Sequence, residues 1–376
     1  MTAASQPDSA FPSAPNWAYL RSALAAVAEA PGDRHLINSE SLALLRQTGA
    51  FSALLPLAND AVNAEIDPAA ALALVEKCGA ICGTMGWIAF VGMSGGVFYP
   101  ALDSATAREV YGHPDAFVAY AGAPAGTLTQ DTDGYVLSGR WAIVSGLSDA
   151  TWVALGARID GRGTTAVAIL PQGTCRAQFS WEPVGLPGTG TGEAIVDHVH
   201  VPARYVIMDG GDSPRARRLG RYRTLIPGLM ASVSLGIASG GLDALTDRSP
   251  TGPHMPAGPE MTKDVIGRAW ARVHAARAFL HQTTEDVWHA ACAGTDPGLE
   301  AGARLRLAAT HAAEVSAEVA SALVGLVGTA GVTADHPLCR RWLDARTVTA
   351  NVTVRSLYYR LYGAVRLTGE SPESWP

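Results

Sequence analysis

Apolar and polar residues follow a helical period over the first third of the chain. Residues 17–30 (WAYLRSALAAVAEA) place apolar side chains three and four positions apart, as one face of an amphipathic helix does. Asp67 precedes a proline and is typical of a helix start, and the run at 84–102 is apolar on every side, as a buried helix is. The pattern predicts a helical domain over 17–112, preceded by a flexible tail at 1–16.

The middle of the chain changes to short runs rich in β-branched and aromatic residues. Turns of Gly, Asp and Pro separate six such runs: FVAYAGA, GYVLSGRWAIV, TWVALGARI, TTAVAILP, RAQFSWEPV and EAIVDHVHV. No helical segment lies between them. The pattern therefore predicts an antiparallel β-sandwich or barrel over 113–212 and argues against a Rossmann sheet.

Long amphipathic segments return in the last part of the chain. Four of them begin at Leu225, Met261, Pro297 and Pro337 and are joined by short connections. Such a set is typical of a four-helix bundle, which we predict over 213–376. The chain as a whole is predicted to be an α+β protein with a helical domain, a β domain and a helical bundle in that order.

Composition narrows the class of protein. Of 376 residues, 48% are hydrophobic and 16% charged, which suits a globular protein with a large buried surface. A net charge of -6 argues against a general nucleic-acid partner. Five scattered cysteines without a CxxC pair argue against a disulfide framework or a zinc site. No signal peptide or membrane span is expected, so we predict a cytoplasmic protein without a metal centre and without a membrane partner.

Three local patterns admit both a functional and a plain structural interpretation. GMSGG around Ser94 satisfies G-x-S-x-G, which makes a serine hydrolase a remote alternative, although the expected context is helical and not strand–turn–helix. His198 and His200 share one face of a strand but lack a third metal ligand. RARRLGRYR at 215–223 is either a solvated basic face or an anion site near a helix start.

Three longer segments together resemble landmarks of the acyl-CoA dehydrogenase superfamily, in the family's order. They are GYVLSGRWAIVSGLSDATWVALGA, EPVGLPGTGTGEAIVDHVHVP and GTAGVTADHPLCRRWLDART. The resemblance implies the family's fold, which is an N-terminal helical domain, a central β-sandwich or barrel and a C-terminal four-helix bundle. It also implies a flavin cofactor and a homotetramer.

The resemblance assigns candidate site residues to specific positions. It implies that Ile143 packs near the flavin ring, that Ser145 hydrogen-bonds near its reactive nitrogen and that Gly146 leaves room for the ring. The other candidate cofactor contacts are Trp141, Thr189, Gly190, Thr191, Arg248, Gly328, Thr329 and Gly331. The last three belong to a loop expected to reach a neighbouring subunit's cofactor. Trp87, Phe90 and Met93 are expected to line a water-excluding substrate pocket, with ordinary core packing as the alternative.

The C-terminal segment separates dehydrogenases from oxygenases. Many acyl-CoA dehydrogenases carry a proton-abstracting glutamate where this chain has Val352, and valine cannot accept a proton. A desaturase therefore needs a relocated base, for which Glu314 and Glu318 are conceivable, and it remains the alternative. The SGRW and GLPGTGT segments are more similar to the two-component flavin monooxygenases, which use molecular oxygen and take reduced FAD or FMN from a separate flavin reductase.

The residue at position 351, Asn351, affects which class of substrate is expected. Aromatic hydroxylases of that group often carry a histidine seven residues after the Asp, and here that position is Asn351, which hydrogen-bonds but cannot act as a base. We expect Asn351 to face a small-molecule substrate or the peroxide and to share the catalytic role with Ser145. Loss of the base favours substrates that are already nucleophilic, through amine N-oxidation or hydroxylation of an electron-rich ring.

Overall fold

A computed structural model describes most of the chain, namely residues 17–29, 36–55, 66–210, 213–246 and 256–371. The predicted tail at 1–16 and the candidate cofactor contact Arg248 lie outside the described residues.

Helices form the N-terminal part, as the periodicity predicts. Their bounds are α1 Trp17–Glu29, α2 Ser39–Gln47, α3 Pro68–Ile81, α4 Gly83–Gly95 and α5 Ser104–Tyr111. Side chains of Asn38, Asp67 and Asp103 accept hydrogen bonds from backbone amides in the first turns of α2, α3 and α5, which satisfies donors that a helix leaves open at its start. The apolar helix α4 packs against the first strand and against the C-terminal helix Ile226–Thr246, so both sides of it are covered.

A seven-stranded sheet follows. Its strands are β1 Val118–Asp131, β2 Gly134–Val144, β3 Trp152–Ile159, β4 Thr165–Pro171, β5 Arg176–Gln178, β6 Gly192–Pro202 and β7 Val206–Met208. Their order in the sheet is β5-β6-β2-β1-β3-β4-β7. Periodicity did not predict β7, and the apolar run at 176–184 forms a strand only over its first three residues.

The prediction of a wholly antiparallel sheet is wrong at one pair, because β1 and β3 run parallel. β2 turns back antiparallel to β1, and β3 then pairs with the opposite edge of β1. The loop at 145–151 therefore passes over the beginning of β1 to join two strands that flank it. This loop carries Ser145 and Gly146.

The C-terminal part is helical. Its helices are α6 Pro214–Arg223, α7 Ile226–Thr246, α8 Pro259–Cys292, α9 Gly298–Leu326, α10 Pro337–Thr349 and α11 Leu357–Thr368. Helix α9 packs against α7, α8, α10 and α11, and α7 also packs against α3. The segment after Pro337, predicted as one helix, is two helices separated at 350–356, where Asn351 caps a short 3-10 turn.

Among the described residues, Pro214–Thr246 is the stretch whose length and hydropathy would suffice to cross a membrane, and 89% of its apolar window is buried inside the protein. The basic run at 215–223 forms α6 on that stretch. Arg218 donates to the Pro100 carbonyl at 2.7 Å, and Arg223 bonds the Asp209 carboxylate at 2.6 Å. These two arginines anchor α6 to the rest of the protein, which gives the basic run a structural role.

Candidate active site

A row of hydrogen-bonded side chains lies where β2 ends. The indole N–H of Trp87 on α4 donates to Ser145 Oγ at 3.0 Å. Ser145 Oγ lies 2.9 Å from Thr191 Oγ1, and Thr191 Oγ1 lies 2.9 Å from Thr189 Oγ1. Thr189 donates to the Leu186 carbonyl oxygen at 3.2 Å. We call these four side chains the hydroxyl chain; they connect α4, the loop after β2 and the turn before β6.

Backbone contacts hold that loop and that turn together. The Gly146 amide donates to the Thr189 carbonyl at 2.9 Å, and the Ser148 amide donates to the Gly190 carbonyl at 3.2 Å. Gly146 has a φ of +79°, and a Cβ there would collide with the Phe117 ring. The glycine is therefore required by the backbone and by the aromatic ring behind it.

Asp344 on α10 supports the turn from beneath. Its Oδ1 accepts a hydrogen bond from the Leu186 amide at 2.6 Å, and its side chain is buried. Leu186 has a φ of +56°, a left-handed conformation that costs free energy for a residue with a branched side chain unless its surroundings hold it. Burial raises the pKa of Asp344 to about 6, although the Leu186 amide and the Arg341 charge act in the opposite direction.

Arg341, one turn earlier on α10, fixes the helix to the rest of the protein. Its guanidinium donates to the carbonyls of Ala80 and Ile81 at 2.8 and 2.9 Å, at the end of α3. Carbonyl groups at a helix C-terminus carry partial negative charge, which suits a buried cation. Burial lowers the pKa of Arg341. Arg341 and Asp344 together set the position of the turn relative to α3 and α4.

Exposed apolar side chains lie on the segments that lead into the hydroxyl chain. Ile143, two residues before Ser145, is 54% exposed. The segment from β5 to the turn adds Phe179, Trp181 and Val184, all of them exposed. Phe179 packs against Gly192, the residue that pairs with Val144 at the end of β2. An apolar surface with hydroxyl groups at its edge can bind a flat ring that has polar atoms on its rim.

The structure brings most of the predicted site residues together. Ile143 lies near the end of β2, Ser145 and Gly146 lie on the loop that follows, and Thr189, Gly190 and Thr191 lie on the turn bonded to that loop. Trp87 joins them through its indole N–H, and the Phe90 ring packs edge-on against Trp87 at a centroid distance of 5.4 Å. What sequence reasoning missed is the hydrogen bond from Trp87 and the support from Asp344 and Arg341. Asp344 stood in the recognised C-terminal segment, and an acidic residue among apolar helix positions was the available signal.

Two predicted site residues are buried and have no hydrogen bond to the hydroxyl chain. Trp141 is 2% exposed, and its indole N–H donates to the Gly156 carbonyl at 2.8 Å inside the sheet. Alternation along β2 would give Trp141 and Ile143 the same face, but the pairing with β6 is irregular between Trp141 and Val144. Met93 on α4 is fully buried. The roles of Trp141 toward a cofactor and of Met93 toward a pocket stay predictions.

Other candidates lie apart from the hydroxyl chain. The carboxamide oxygen of Asn351 accepts from the Thr353 amide at 2.9 Å and caps the turn after α10. Gly328, Thr329 and Gly331 form a 3-10 turn after α9 that packs against α9 and α10. Their roles toward a cofactor or substrate stay predictions.

The structure also describes the candidate serine nucleophile and the candidate metal-binding histidines. Ser94 lies inside α4, buried, and its hydroxyl donates to the Val91 carbonyl at 3.0 Å, so the nucleophile-elbow interpretation is wrong. His198 and His200 each contact an aspartate, Asp197 and Asp133 respectively. Within the described ranges, no group of three or more His, Cys, Asp or Glu side chains could hold a metal ion.

A separate open cavity of about 540 Å³ lies on the outer face of β2 and β6. Arg140, Arg176 and Asp197 are among its charged lining residues. Arg140 makes two hydrogen bonds to the Glu193 carboxylate, at 3.1 and 2.8 Å. Its charge is therefore already matched within the protein.

Comparisons with known proteins agree with this arrangement. Residues 229–355 match the family described as acyl-CoA dehydrogenase, C-terminal domain. The indole-3-acetate monooxygenase of Pseudomonas putida is 31% identical over 343 residues, covering 88% of this chain and 87% of that protein. The flavin-dependent monooxygenase oxygenase subunit HsaA of Rhodococcus jostii is 29% identical and covers 90% and 92%. The structure of XiaF from Streptomyces sp. in complex with FADH2 and glycerol superposes with a TM-score of 0.82 at 21% identity, covering 96% and 97%.

Proposed function

Because this chain belongs to the flavin-dependent monooxygenases of the acyl-CoA dehydrogenase superfamily, we propose that it is the oxygenase component of a two-component system that hydroxylates a small, electron-rich aromatic substrate. It is an oxidoreductase whose cofactor is reduced FAD or FMN. Relatives named as oxygenase subunits or components support a separate reductase as the source of that flavin.

One observation carries the proposal: the Trp87–Ser145–Thr191 hydrogen bonds lie beside the exposed apolar side chain of Ile143. Reduced flavin, when bound, supplies the two electrons that activate molecular oxygen. The protein's part is to bind the ring on the apolar surface, to present the Ser145 hydroxyl at its polar edge and to exclude water. Removing water from such a surface strengthens each remaining polar contact.

The substrate class is proposed from the residues that could act as a base. Val352 stands at the dehydrogenase base position, and Asn351 stands at the histidine position of phenol hydroxylases. Neither side chain can take a proton from a phenol. An indole-type ring is nucleophilic without losing a proton, and a relative named indole-3-acetate monooxygenase points the same way.

The proposed assembly is a homotetramer. Helices α7 to α10 would form its four-helix bundle, and the 3-10 turn at 328–332 would reach a neighbouring subunit's cofactor. Exposed apolar residues on α8, Met261 and Trp270, support burial of this helix against another copy of the chain.

An oxygen-labelling experiment tests the proposed function. The protein is mixed anaerobically with photochemically reduced FMN or FAD, then with ¹⁸O₂ and either indole-3-acetate or a small primary amine, and the products are analysed by mass spectrometry. We expect one labelled oxygen atom in the indole product. Ile143→Glu should abolish the labelling, whereas Leu367→Glu, at an 88% exposed position on α11, should not.

Two results would count against the proposal. Absence of label in every product would refute a monooxygenase of this site. Label in the amine and not in the indole would refute the aromatic substrate and support amine N-oxidation instead.

A further inference from the structure

The hydroxyl chain has only one arrangement of protons that makes all four of its hydrogen bonds. An indole N–H only donates and a backbone carbonyl only accepts, so Trp87 donates to Ser145, and Thr189 donates to the Leu186 carbonyl. Thr189 then has no second proton, and Thr191 must donate to it. By the same count Ser145 donates to Thr191.

This direction determines what Ser145 can offer to a bound molecule. Its single proton is committed to Thr191, so toward the outside it can only accept a hydrogen bond, using its second lone pair. In the reversed direction Thr189 donates to Thr191, Thr191 donates to Ser145, and the Ser145 proton points outward. Reversal keeps three of the four bonds, because the Leu186 carbonyl loses its partner.

The hydrogen bond to the Leu186 carbonyl is costly to lose because its surroundings are buried. Thr189, Thr191 and Leu186 are all buried, so solvent does not readily replace the bond to the Leu186 carbonyl. One such hydrogen bond favours the forward direction by about fivefold, or ~1 kcal/mol. The protein therefore holds Ser145 as an acceptor before any ligand arrives.

We propose that Trp87, Thr191 and Thr189 are positioning residues that make the Ser145 hydroxyl an acceptor toward the flavin, so that the site selects the reduced ring over the oxidised one. The inference rests on the proposed function, which places flavin against Ser145. A reduced flavin carries N–H groups at ring nitrogens that are bare acceptors in the oxidised form. A hydrogen-bond acceptor at Ser145 can pair with an N–H group of the reduced ring, whereas it would face a lone pair of the oxidised ring.

The test compares Thr189→Val with Thr189→Ser. Valine matches the shape of threonine but has no hydroxyl group, so the hydroxyl chain then ends at Thr191. The forward and the reversed directions make two hydrogen bonds each in this variant. We measure the dissociation constants of oxidised FMN and FAD by fluorescence titration, and those of the reduced forms anaerobically. The dissociation constant of the oxidised flavin divided by that of the reduced flavin should fall about fivefold in Thr189→Val. This change corresponds to about 20 mV in the potential of a two-electron couple. Thr189→Ser keeps the hydroxyl and should keep the wild-type ratio.

The ratio distinguishes proton direction from shape. The two redox forms are nearly the same size, so a purely structural defect weakens both and leaves their ratio unchanged. Thr191→Val is the second variant: it leaves Ser145 without an internal acceptor, and the ratio should fall at least as far. An unchanged ratio in both valine variants, with flavin still bound, overturns this inference alone. A wild-type protein that binds neither redox form overturns the proposed function.

Discussion

Replacing Asp344 with asparagine should change the stability of the protein in a way that depends on pH. Burial raises the pKa of this carboxyl from 3.8 to about 6 in the folded protein. Since the folded state holds the proton more tightly than the unfolded state, the carboxyl contributes stability that is fully present below pH 3.8. That contribution is lost as the pH rises, and the loss is complete above pH 6. A difference of about two pKa units corresponds to about 3 kcal/mol.

The variant removes this titration. The introduced asparagine can still accept from the Leu186 amide through its oxygen, but its NH2 group replaces the carboxylate oxygen near the Gly83 amide, another donor. Loss of that bond should cost about 1–3 kcal/mol at every pH. The free energy of unfolding of wild type minus that of Asp344→Asn should therefore decrease by ~1.5 kcal/mol between pH 5 and 7.5.

Urea unfolding followed by circular dichroism at four pH values between 5 and 7.5 measures that difference. Other titrating groups cancel in the subtraction, because both proteins carry them. A difference that stays constant across this range, or that increases with pH, would show that Asp344 is not a buried carboxyl with a raised pKa, and the account of the turn at Leu186 would be wrong.

Two further predictions concern the loop and the helices. Gly146→Ala should destabilise the protein by ~2–3 kcal/mol, because it combines a positive φ with a collision against the Phe117 ring. Gly161→Ala is the control, since Gly161 also has a positive φ but faces open space, and it should cost about 1 kcal/mol. Thermal unfolding measures both costs. An equal cost would refute the collision. Glu76→Ala should destabilise by about 2 kcal/mol, because it leaves the partly buried Arg277 unpaired. Lys263→Ala, in a fully solvated ion pair, is the matched control and should change stability by less than about 0.5 kcal/mol in the same assay.

The helical period of the sequence located most of the N-terminal and C-terminal helices, because an amphipathic helix buries one face, whereas α4 was located by its continuous apolar run. It joined α10 and α11 into one helix, since the apolar spacing continues through the break. The residues there, Val348 to Val354, are rich in β-branched side chains, which lower helix propensity without disturbing the hydrophobic pattern. The parallel β1–β3 pair was likewise hidden, because alternation within a strand does not say which strand lies beside it.

The parts of the candidate site that lie within one short segment could be predicted from the sequence. The contacts between distant segments could not. Ser145, Gly146 and the turn at 188–191 are recognisable from short segments. The sequence did not show that Trp141 is buried while Ile143 is exposed, because an irregular pairing with β6 interrupts the alternation between them. The hydrogen bond from Trp87 joins residues 58 positions apart, and that from Leu186 to Asp344 joins residues 158 apart. Such distances in sequence are closed only by the tertiary structure.

The route of the loop at 145–151 limits how this enzyme can be altered. The loop bridges two strands that lie on either side of a third, a span of roughly 10 Å fixed by the spacing of strands in a sheet. An added or deleted residue would move Ser145 relative to Thr191 while the strands stayed in place. Libraries that aim at new substrates should keep the length of this loop constant.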